Sequence, residues 1–293
     1  MDSNFLKGPN YMKKLFLVVL LVGIAGIAGI VRSHSNPLRG ISRLPHVING
    51  QTTSGADVTE EIRKNYELSA DAKVEVSGIN GPVTVETADI KTADVLVVRT
   101  GATQEVLNRR KVTVEATATS LRIHGDKSDT SLIGRIFGSS PSERVTLRLP
   151  RAVSLVARGI NGPVVVGEIT GAVEAHGING RVQIAQASGT AQFNGVNGNI
   201  VVGLRQLGSQ GIELNGINGN IELKFDSAVN ASLKAHGMNG TVSSDLPNVV
   251  VDKASRGNYT AQIGNGGSKI SANGINGNIR LTRIGTDTTG KES

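Results

Sequence analysis

Two histidines stand at equivalent places in the sequence and could together bind a metal ion or share acid–base chemistry. His176 and His236 each come directly before a Gly-x-Asn-Gly tetrapeptide. In chain order they are three repeats apart, which puts their backbones about 14 Å from each other if the repeats stack at the strand spacing. One zinc ion binds each nitrogen at about 2.0 Å and cannot bridge that gap. We therefore predict that both histidines are exposed surface residues and that the chain has no metal site.

Two carboxylates also share an equivalent place, as the acid and base of a polysaccharide hydrolase or lyase would. Glu174 and Glu213 each lie three residues before a Gly of the tetrapeptide, but Gln192 takes that place between them. Glu222 alone follows a tetrapeptide. Such enzymes need carboxylates clustered on one face, as an acid/base pair or as calcium ligands. We therefore predict a protein that is not an enzyme and has no catalytic residues, with a polysaccharide-active β-helix enzyme as the alternative.

No other motif indicates a cofactor. Residues 285–292 resemble a phosphate-binding P-loop, but Glu292 stands where that motif requires Ser or Thr. Cys is absent, which excludes disulfides, cysteine metal sites, thiol nucleophiles and a lipobox. We predict no cofactor and no cofactor-binding residues.

The charge of the chain does not indicate a nucleic-acid surface. The formal net charge of the 293 residues is +7, and four basic residues against Asp2 give the first 32 residues +3 of it. The remaining basic residues are scattered among Glu and Asp, and aromatic residues for base stacking are only 3% of the chain. We predict no nucleic-acid partner.

The elements that position these residues come from an internal repeat. Gly-x-Asn-Gly, with an aliphatic residue or Met at x, occurs seven times, starting at Gly78, Gly159, Gly177, Gly195, Gly216, Gly237 and Gly274. Apolar and polar residues alternate on both sides of each tetrapeptide, which is the period of a β-strand. Gly and Asn tolerate the positive φ of a tight bend, while x can point into a core. Each unit therefore predicts a strand, a turn and a strand, with apolar inward pairs such as Val74 and Val76.

Units of 18 to 21 residues without a helical period predict an all-β fold, a β-solenoid whose coils pair with the coils above and below. The 210 residues from Val74 to Arg283 correspond to roughly ten coils. The long first and last gaps between tetrapeptides would then hide further coils, with Gly257 marking a turn that has drifted. The unequal spacings favour a right-handed β-helix or an irregular solenoid over a left-handed helix of hexapeptides.

The N-terminal segment predicts export. Lys13 and Lys14 precede an unbroken apolar stretch, Leu15–Val31, which is long for a signal peptide and short for a membrane-spanning helix. Residues 1–32 are therefore predicted to be a signal peptide or a signal-anchor helix, and cleavage and retention both stay open. The protein would lie in the cell envelope, in the periplasm or at the cell surface, with residues 15–31 as its membrane anchor if they are retained.

The remaining domain boundaries follow from composition and from the repeat. Residues 33–60, rich in Ser, Thr and Pro, are predicted to be a flexible linker. Residues 61–285 form the solenoid domain, and residues 286–293 form a polar tail. Residues 126–143 interrupt the strand pattern and are predicted to be a projecting loop.

The polar residues around the turns have two predicted roles. The seven turn asparagines should stack and bond each other, which stabilises a solenoid without any ligand. The 126–143 loop and the outward columns should take part in binding instead. One such column contains the residues before the tetrapeptides, which besides the two histidines are Ser77, Arg158, Asn194, Asn215 and Asn273.

These residues together resemble a group of bacterial adhesins, the DUF4097 type, akin to the head-GIN domain proteins whose name echoes a Gly-Ile-Asn repeat. The resemblance covers residues 60–283 and rests on the opening Val74–Gly81, a middle strand ending in Leu149–Pro150, and the repeats that follow. It implies a cell-envelope protein of adhesin-like architecture, and it brings no catalytic residue. We predict that the partner is an envelope protein or a glycan, and that the N-terminal segment contacts the membrane. A self-assembling envelope scaffold is a further alternative.

Overall fold

The computed structural model describes residues 57–126, 140–247 and 249–285 of the chain. In chain order the strands are β1 (Val58–Glu67), β2 (Lys73–Ser77), β3 (Val83–Ala88), β4 (Thr92–Gly101), β5 (Val112–Thr117), β6 (Ser120–Gly125), β7 (Ser142–Pro150), β8 (Ser154–Arg158), β9 (Val164–Ile169), β10 (Val173–Ile178), β11 (Val182–Ala187), β12 (Ala191–Val196), β13 (Ile200–Leu204), β14 (Ile212–Asn218), β15 (Ile221–Phe225), β16 (Ala231–His236), β17 (Val242–Ser244), β18 (Val251–Ser255), β19 (Asn258–Ile263), β20 (Ser268–Asn276) and β21 (Ile279–Arg283). One short helix, α1 (Gln104–Asn108), lies between β4 and β5. The described residues contain no helix of the length and apolarity that a membrane span needs. The predicted signal segment, most of the predicted linker and the polar tail lie outside the described residues.

The strands form two sheets, and each coil of the solenoid contributes one strand to each sheet. The first sheet has the order β1-β4-β7-β3-β9-β11-β13-β15-β21-β17, and the second has the order β18-β19-β16-β20-β14-β12-β10-β8-β2-β6-β5. Parallel pairing between neighbouring coils gives the stacking order β6/β7, β2/β3, β8/β9, β10/β11, β12/β13, β14/β15, β20/β21 and β16/β17. Seven of these coils pass from the second sheet to the first through a Gly-x-Asn-Gly tetrapeptide. The predicted all-β solenoid is confirmed, and its handedness stays a prediction.

The core lies between the two sheets. The predicted inward residues of every tetrapeptide coil are buried, except Ser244, which is half-buried. The x residue of each tetrapeptide is buried as well: Ile79, Ile160, Ile178, Val196, Ile217, Met238 and Ile275. Because alternate residues of a strand face opposite sides, the same pattern turns the intervening polar residues outward. Burial of these aliphatic side chains is the main favourable contribution to folding.

The coils do not stack in chain order. Strand β20, from the last repeat, pairs with β14 on one side and β16 on the other. Strands β6 and β7 likewise lie outside β2 and β3, although they follow them in the chain. The two sheets contain ten and eleven strands, close to the predicted ten levels, but only eight levels among the described residues are parallel coils. The chain-order spacing behind the estimate of about 14 Å between His176 and His236 is therefore wrong.

The long gaps between tetrapeptides contain hairpins as well as coils. The first gap holds one coil without a tetrapeptide, β6/β7, together with the antiparallel strands β4 and β5. The last gap holds the antiparallel strands β18 and β19, and Gly257 lies in the turn between them. Gly257 is therefore not the drifted turn of a hidden coil. A hairpin alternates apolar and polar residues just as a coil does, so alternation does not distinguish the two.

Antiparallel strands extend both ends of the described stack. At one end, β1 and β4 continue the first sheet beyond β7, and β5 continues the second beyond β6. At the other end, β18 and β19 continue the second sheet beyond β16, while β17 is an edge strand of only three residues. Edge strand β1 carries five charged residues, Glu60, Glu61, Arg63, Lys64 and Glu67. Short or charged edges resist pairing with another chain, so edge strands β1 and β17 are protected against such pairing.

Candidate binding surface

The tetrapeptide turn depends on glycine at both of its ends. Gly216 has a φ of +62°, in the left-handed region that glycine enters without strain. Gly219 passes so close to the neighbouring coil that a Cβ there would lie 2.4 Å from the carbonyl oxygen of Gly198. Between the two glycines, Ile217 is buried and Asn218 is exposed. The turn therefore brings one asparagine from each coil to the same edge of the solenoid.

The seven turn asparagines form one continuous hydrogen-bonded column. In stacking order they are Asn80, Asn161, Asn179, Asn197, Asn218, Asn276 and Asn239. Each Nδ2 group donates to the Oδ1 atom of the preceding asparagine, over distances from 2.8 to 3.1 Å. At the end of the column, Asn80 donates to the carbonyl oxygen of Pro141 at 2.9 Å. The predicted stacking of the turn amides is confirmed.

Two further asparagine columns flank the turn column in three adjacent coils. The hexapeptide Asn-Gly-x-Asn-Gly-Asn occurs at 194–199, 215–220 and 273–278, in the coils β12/β13, β14/β15 and β20/β21. Its first, fourth and sixth residues form three columns, which we call the asparagine grid: Asn194, Asn215 and Asn273; Asn197, Asn218 and Asn276; Asn199, Asn220 and Asn278. The tetrapeptide predicts the turn column and the polar stripe before it. The third column was missed, although the repeated hexapeptide signals it.

The first column of the grid is bonded side chain to side chain. Asn215 donates to the Oδ1 atom of Asn194 at 2.9 Å, and Asn273 donates to the Oδ1 atom of Asn215 at 2.9 Å. The column continues past the grid, because the Nδ2 group of Asn194 lies 3.2 Å from Nδ1 of His176. This histidine therefore takes part in the ladder as an asparagine does.

The third column is bonded to the backbone instead. The Oδ1 atom of Asn199 accepts the backbone N–H of Asn220 at 2.9 Å, and that of Asn220 accepts the backbone N–H of Asn278 at 3.0 Å. In the outermost coil, the backbone N–H of Thr241 donates to Oδ1 of Asn278 at 2.9 Å, and the Thr241 hydroxyl donates to the same atom at 3.0 Å. The Nδ2 groups of this column donate to no described residue.

The two histidines of the first column lie farther apart than chain order implies. Insertion of β20 places His176 and His236 four coils apart, which is about 19 Å at the strand spacing. His236 is exposed, as predicted, but only 30% of the His176 side chain is exposed, and its Nε2 atom lies 3.4 Å from Glu174. Among the residues that the structure describes, no group of three His, Cys, Asp or Glu side chains could hold a metal ion.

Glu174 and Glu213, the two carboxylates at an equivalent place in the sequence, lie on the outward face of the second sheet. Glu174, Gln192 and Glu213 are in register on adjacent strands. The backbones of the two glutamates are therefore two strand spacings apart, about 9.6 Å. In inverting glycosidases it is the carboxyl groups that lie about 6.5 to 9.5 Å apart, on the two sides of one scissile bond. Glu174 is also paired with Arg158 at 3.2 Å, and Gln192 lies between the two acids.

A buried ion pair closes the turn column at its Asn80 end. The side chain of Glu143 is fully buried and accepts from Nε of Arg110 at 2.8 Å and from the backbone N–H of Asn80 at 2.9 Å. Arg110 also donates to the carbonyl oxygen of Gly78. Glu143 was predicted to end a projecting loop, but it lies in β7 and is part of the structural core. Residues 127–139 of that loop lie outside the described residues.

The described surface has cavities beside the turn column and on the first sheet. One, of about 270 Å³, lies beside Asn80 and contains a single carboxylate, that of Asp126. The other, of about 490 Å³, lies on the first sheet and also contains a single carboxylate, that of Asp94. Arg63 and Arg148 line this second cavity. Neither of these two cavities is lined by a histidine or by a pair of carboxylates.

Comparison with known proteins finds solved structures that are similar to this chain at low sequence identity. No protein-family model and no curated protein matches the chain. A structure of a putative cell adhesion protein from Clostridium sporogenes ATCC 15579 is 14% identical, with a TM-score of 0.36 over 77% of this chain and 100% of that chain. A putative adhesin from Bacteroides fragilis NCTC 9343 is 11% identical, with a TM-score of 0.28 over 76% and 97%. A putative lipid binding protein from Parabacteroides distasonis ATCC 8503 is 12% identical, with a TM-score of 0.21 over 78% and 98%. The resemblance to DUF4097-type adhesins stays a prediction.

Proposed function

We propose that this chain is an exported, non-enzymatic β-solenoid of the bacterial cell envelope that presents a polar surface for adhesion or protein contacts. The observation that carries the proposal is the asparagine grid, nine amides on three adjacent coils. Strand pairing in both sheets fixes the backbone beneath these amides. A surface that is already ordered loses little conformational entropy when it binds a partner.

The arrangement of the acidic residues supports a binding role over catalysis. Glu174 and Glu213 are separated by Gln192 on an open face, and Glu174 is engaged with Arg158. A glycosidase needs two carboxyl groups that flank one scissile bond. A polysaccharide-active enzyme is therefore the weaker alternative.

The N-terminal sequence supports export. Lys13 and Lys14 come before the apolar stretch Leu15–Val31, and positive residues on that side are retained in the cytoplasm. The part of the chain that follows the stretch would then be outside the cytoplasm. The sequence resemblance to envelope adhesins points to the same compartment.

Two measurements test this proposal. A reporter that is active only outside the cytoplasm should be active when it is fused after Ser293. Cells that produce the full chain should attach to surfaces coated with glycans or envelope proteins better than cells that lack it. Activity of a cytoplasm-only reporter at the same junction would contradict export. Equal attachment by the two strains would contradict adhesion.

A further inference from the structure

The grid amides keep hydrogen-bonding groups that the protein itself does not use. An asparagine side chain has two N–H donors and two oxygen lone pairs. Asn218 donates to Asn197 at 3.1 Å and accepts from Asn276 at 2.9 Å, which leaves it one donor and one lone pair. In the third column, Asn220 only accepts a backbone N–H, that of Asn278, so both of its own N–H groups are left. Each coil of the grid therefore offers donors and acceptors together.

The grid is accessible and carries no charge of its own. Seven of its nine asparagines are exposed, and the other two, Asn194 and Asn215, are half-buried. Glycines separate the asparagines within each hexapeptide, so no larger neighbouring side chain in the hexapeptide covers them. The grid side chains give no electrostatic attraction to a polyanion or a polycation, and the charged residues at the borders of the grid, Glu213, Glu222 and Arg280, are of both signs. It also lacks the aromatic and arginine side chains that dominate binding between proteins.

We infer that the asparagine grid binds a neutral, polyhydroxylated polymer, that is, an uncharged glycan chain. This inference rests on the proposed adhesion function and names its partner. A hydroxyl group both donates and accepts, as the unused groups of the grid do. The same set of donors and acceptors recurs on each of the three coils, about 4.8 Å apart. A chain of similar sugar units that lies along the stacking direction can hydrogen-bond to the amides of all three coils. A single small sugar can hydrogen-bond to the amides of one coil only.

The direct test is titration of the full-length protein, in a zwitterionic detergent, with hexasaccharides. The neutral probes are cellohexaose, chitohexaose and laminarihexaose, and the charged probes are hexagalacturonic acid and the chitosan hexamer. We expect at least one neutral hexasaccharide to bind more tightly than both charged ones. Failure of all three neutral probes to bind, or tighter binding of either charged probe, would overturn the inference.

Matched variants locate the binding to the grid. Asn220→Asp keeps the Oδ acceptor that Asn278 uses but removes both free N–H groups, so we expect a loss of affinity of about tenfold. Gln206→Glu makes the same change of charge at an exposed position outside the grid and should stay within about twofold of the parent protein. Unchanged affinity in Asn220→Asp would overturn the inference.

An uncharged variant separates the lost donors from the added charge. In Asn199→Thr, Asn220→Thr and Asn278→Thr combined, the third column loses all of its side-chain N–H groups and gains no charge. We expect this variant to stay folded, with a lower melting temperature because the acceptors of three backbone N–H groups become shorter, and to lose affinity by about tenfold or more. Folded protein with unchanged affinity would overturn the inference. If cells that produce the chain still attach to coated surfaces while no neutral hexasaccharide binds, the adhesion function stands and only its assignment to a neutral glycan fails.

Discussion

At the scale of single residues, asparagine suits the turn column because its amide donates and accepts at once. Asn218 uses both functions, donating to Asn197 and accepting from Asn276. Aspartate only accepts, and serine is too short to span neighbouring coils in the same way. Asn220 in the third column needs its oxygen alone. The two columns should therefore respond differently to the same substitution.

We expect Asn218→Asp to destabilise the fold and Asn220→Asp to leave it nearly unchanged. In Asn218→Asp, the hydrogen bond to Asn197 is lost and two oxygen atoms face each other at an exposed position, which should lower the free energy of unfolding by about 0.5 to 1.5 kcal/mol. In Asn220→Asp the acceptor is kept, so the change should be below about 0.5 kcal/mol. Urea unfolding at neutral pH measures both values. Equal losses in the two variants would contradict the different bonding of the columns.

The two glycines of one turn should also differ in tolerance. Gly216→Ala meets no atom closer than 3.9 Å, so only the left-handed backbone opposes it, at about 1 to 2 kcal/mol. Gly219→Ala would place its Cβ 2.4 Å from the carbonyl oxygen of Gly198, which the paired backbone cannot easily avoid. We expect Gly219→Ala to lower the melting temperature clearly more than Gly216→Ala. The reverse order in a thermal melt would show that the coils are less closely spaced at this turn.

Residue-scale features were the most predictable from the sequence. The inward pairs, the buried x residues and the stacked turn amides follow from alternation and from the chemistry of Gly and Asn. The partial burial of the His176 side chain could not be predicted in this way. Its exposure depends on contacts with Glu174 and with Asn194 from a neighbouring coil, and a single repeat does not contain that neighbour.

At the scale of elements, the fold depends on how the stack of coils ends. The turn column stops at Asn80, where the coil β6/β7 has no tetrapeptide to continue it. Glu143 replaces the missing turn by accepting the backbone N–H of Asn80, and Arg110 neutralises it at 2.8 Å. Sequence alone did not reveal this ion pair, because its partners are 33 residues apart and belong to no repeat.

Removal of the buried Glu143 carboxylate should strongly destabilise the fold. Glu143→Ala leaves the guanidinium of Arg110 unpaired in a buried site and removes an acceptor from Asn80, so we expect a loss of about 3 to 5 kcal/mol in the free energy of unfolding. Glu86→Ala on the exposed face of β3 is the control and should cost less than about 0.5 kcal/mol. A loss of less than about 1 kcal/mol for Glu143→Ala would mean that the pair contributes little to this end of the stack.

At the scale of the whole molecule, the periodicity of the sequence specifies the coils but not their neighbours. The seven tetrapeptide coils share the same turn and the same alternation of inward apolar residues, so each could pair with any other of them in the correct register. The choice is made by the antiparallel strands between the repeats. Because β19 pairs with the outer edge of β16, that edge is closed, and the last repeat takes the place between β14 and β16. The order of the repeats along the chain does not indicate that β20 lies between β14 and β16.

Engineered disulfides can test the stacking order, because the chain has no cysteine of its own. Asn215 and Asn273 are direct partners on adjacent parallel strands, whereas chain-order stacking would pair Asn215 with His236. A disulfide forms when two Cα atoms lie about 4.4 to 6.8 Å apart, which adjacent strands satisfy and strands two levels apart, at about 9.6 Å, do not. We therefore expect Asn215→Cys with Asn273→Cys to cross-link under mild oxidation, and Asn215→Cys with His236→Cys to stay reduced, as seen by mobility on non-reducing gels. The cross-link spans 58 residues of chain and should stabilise the fold by up to about 4 kcal/mol, visible as a higher melting temperature. Cross-linking of the 215 and 236 pair alone would mean that the coils stack in chain order after all.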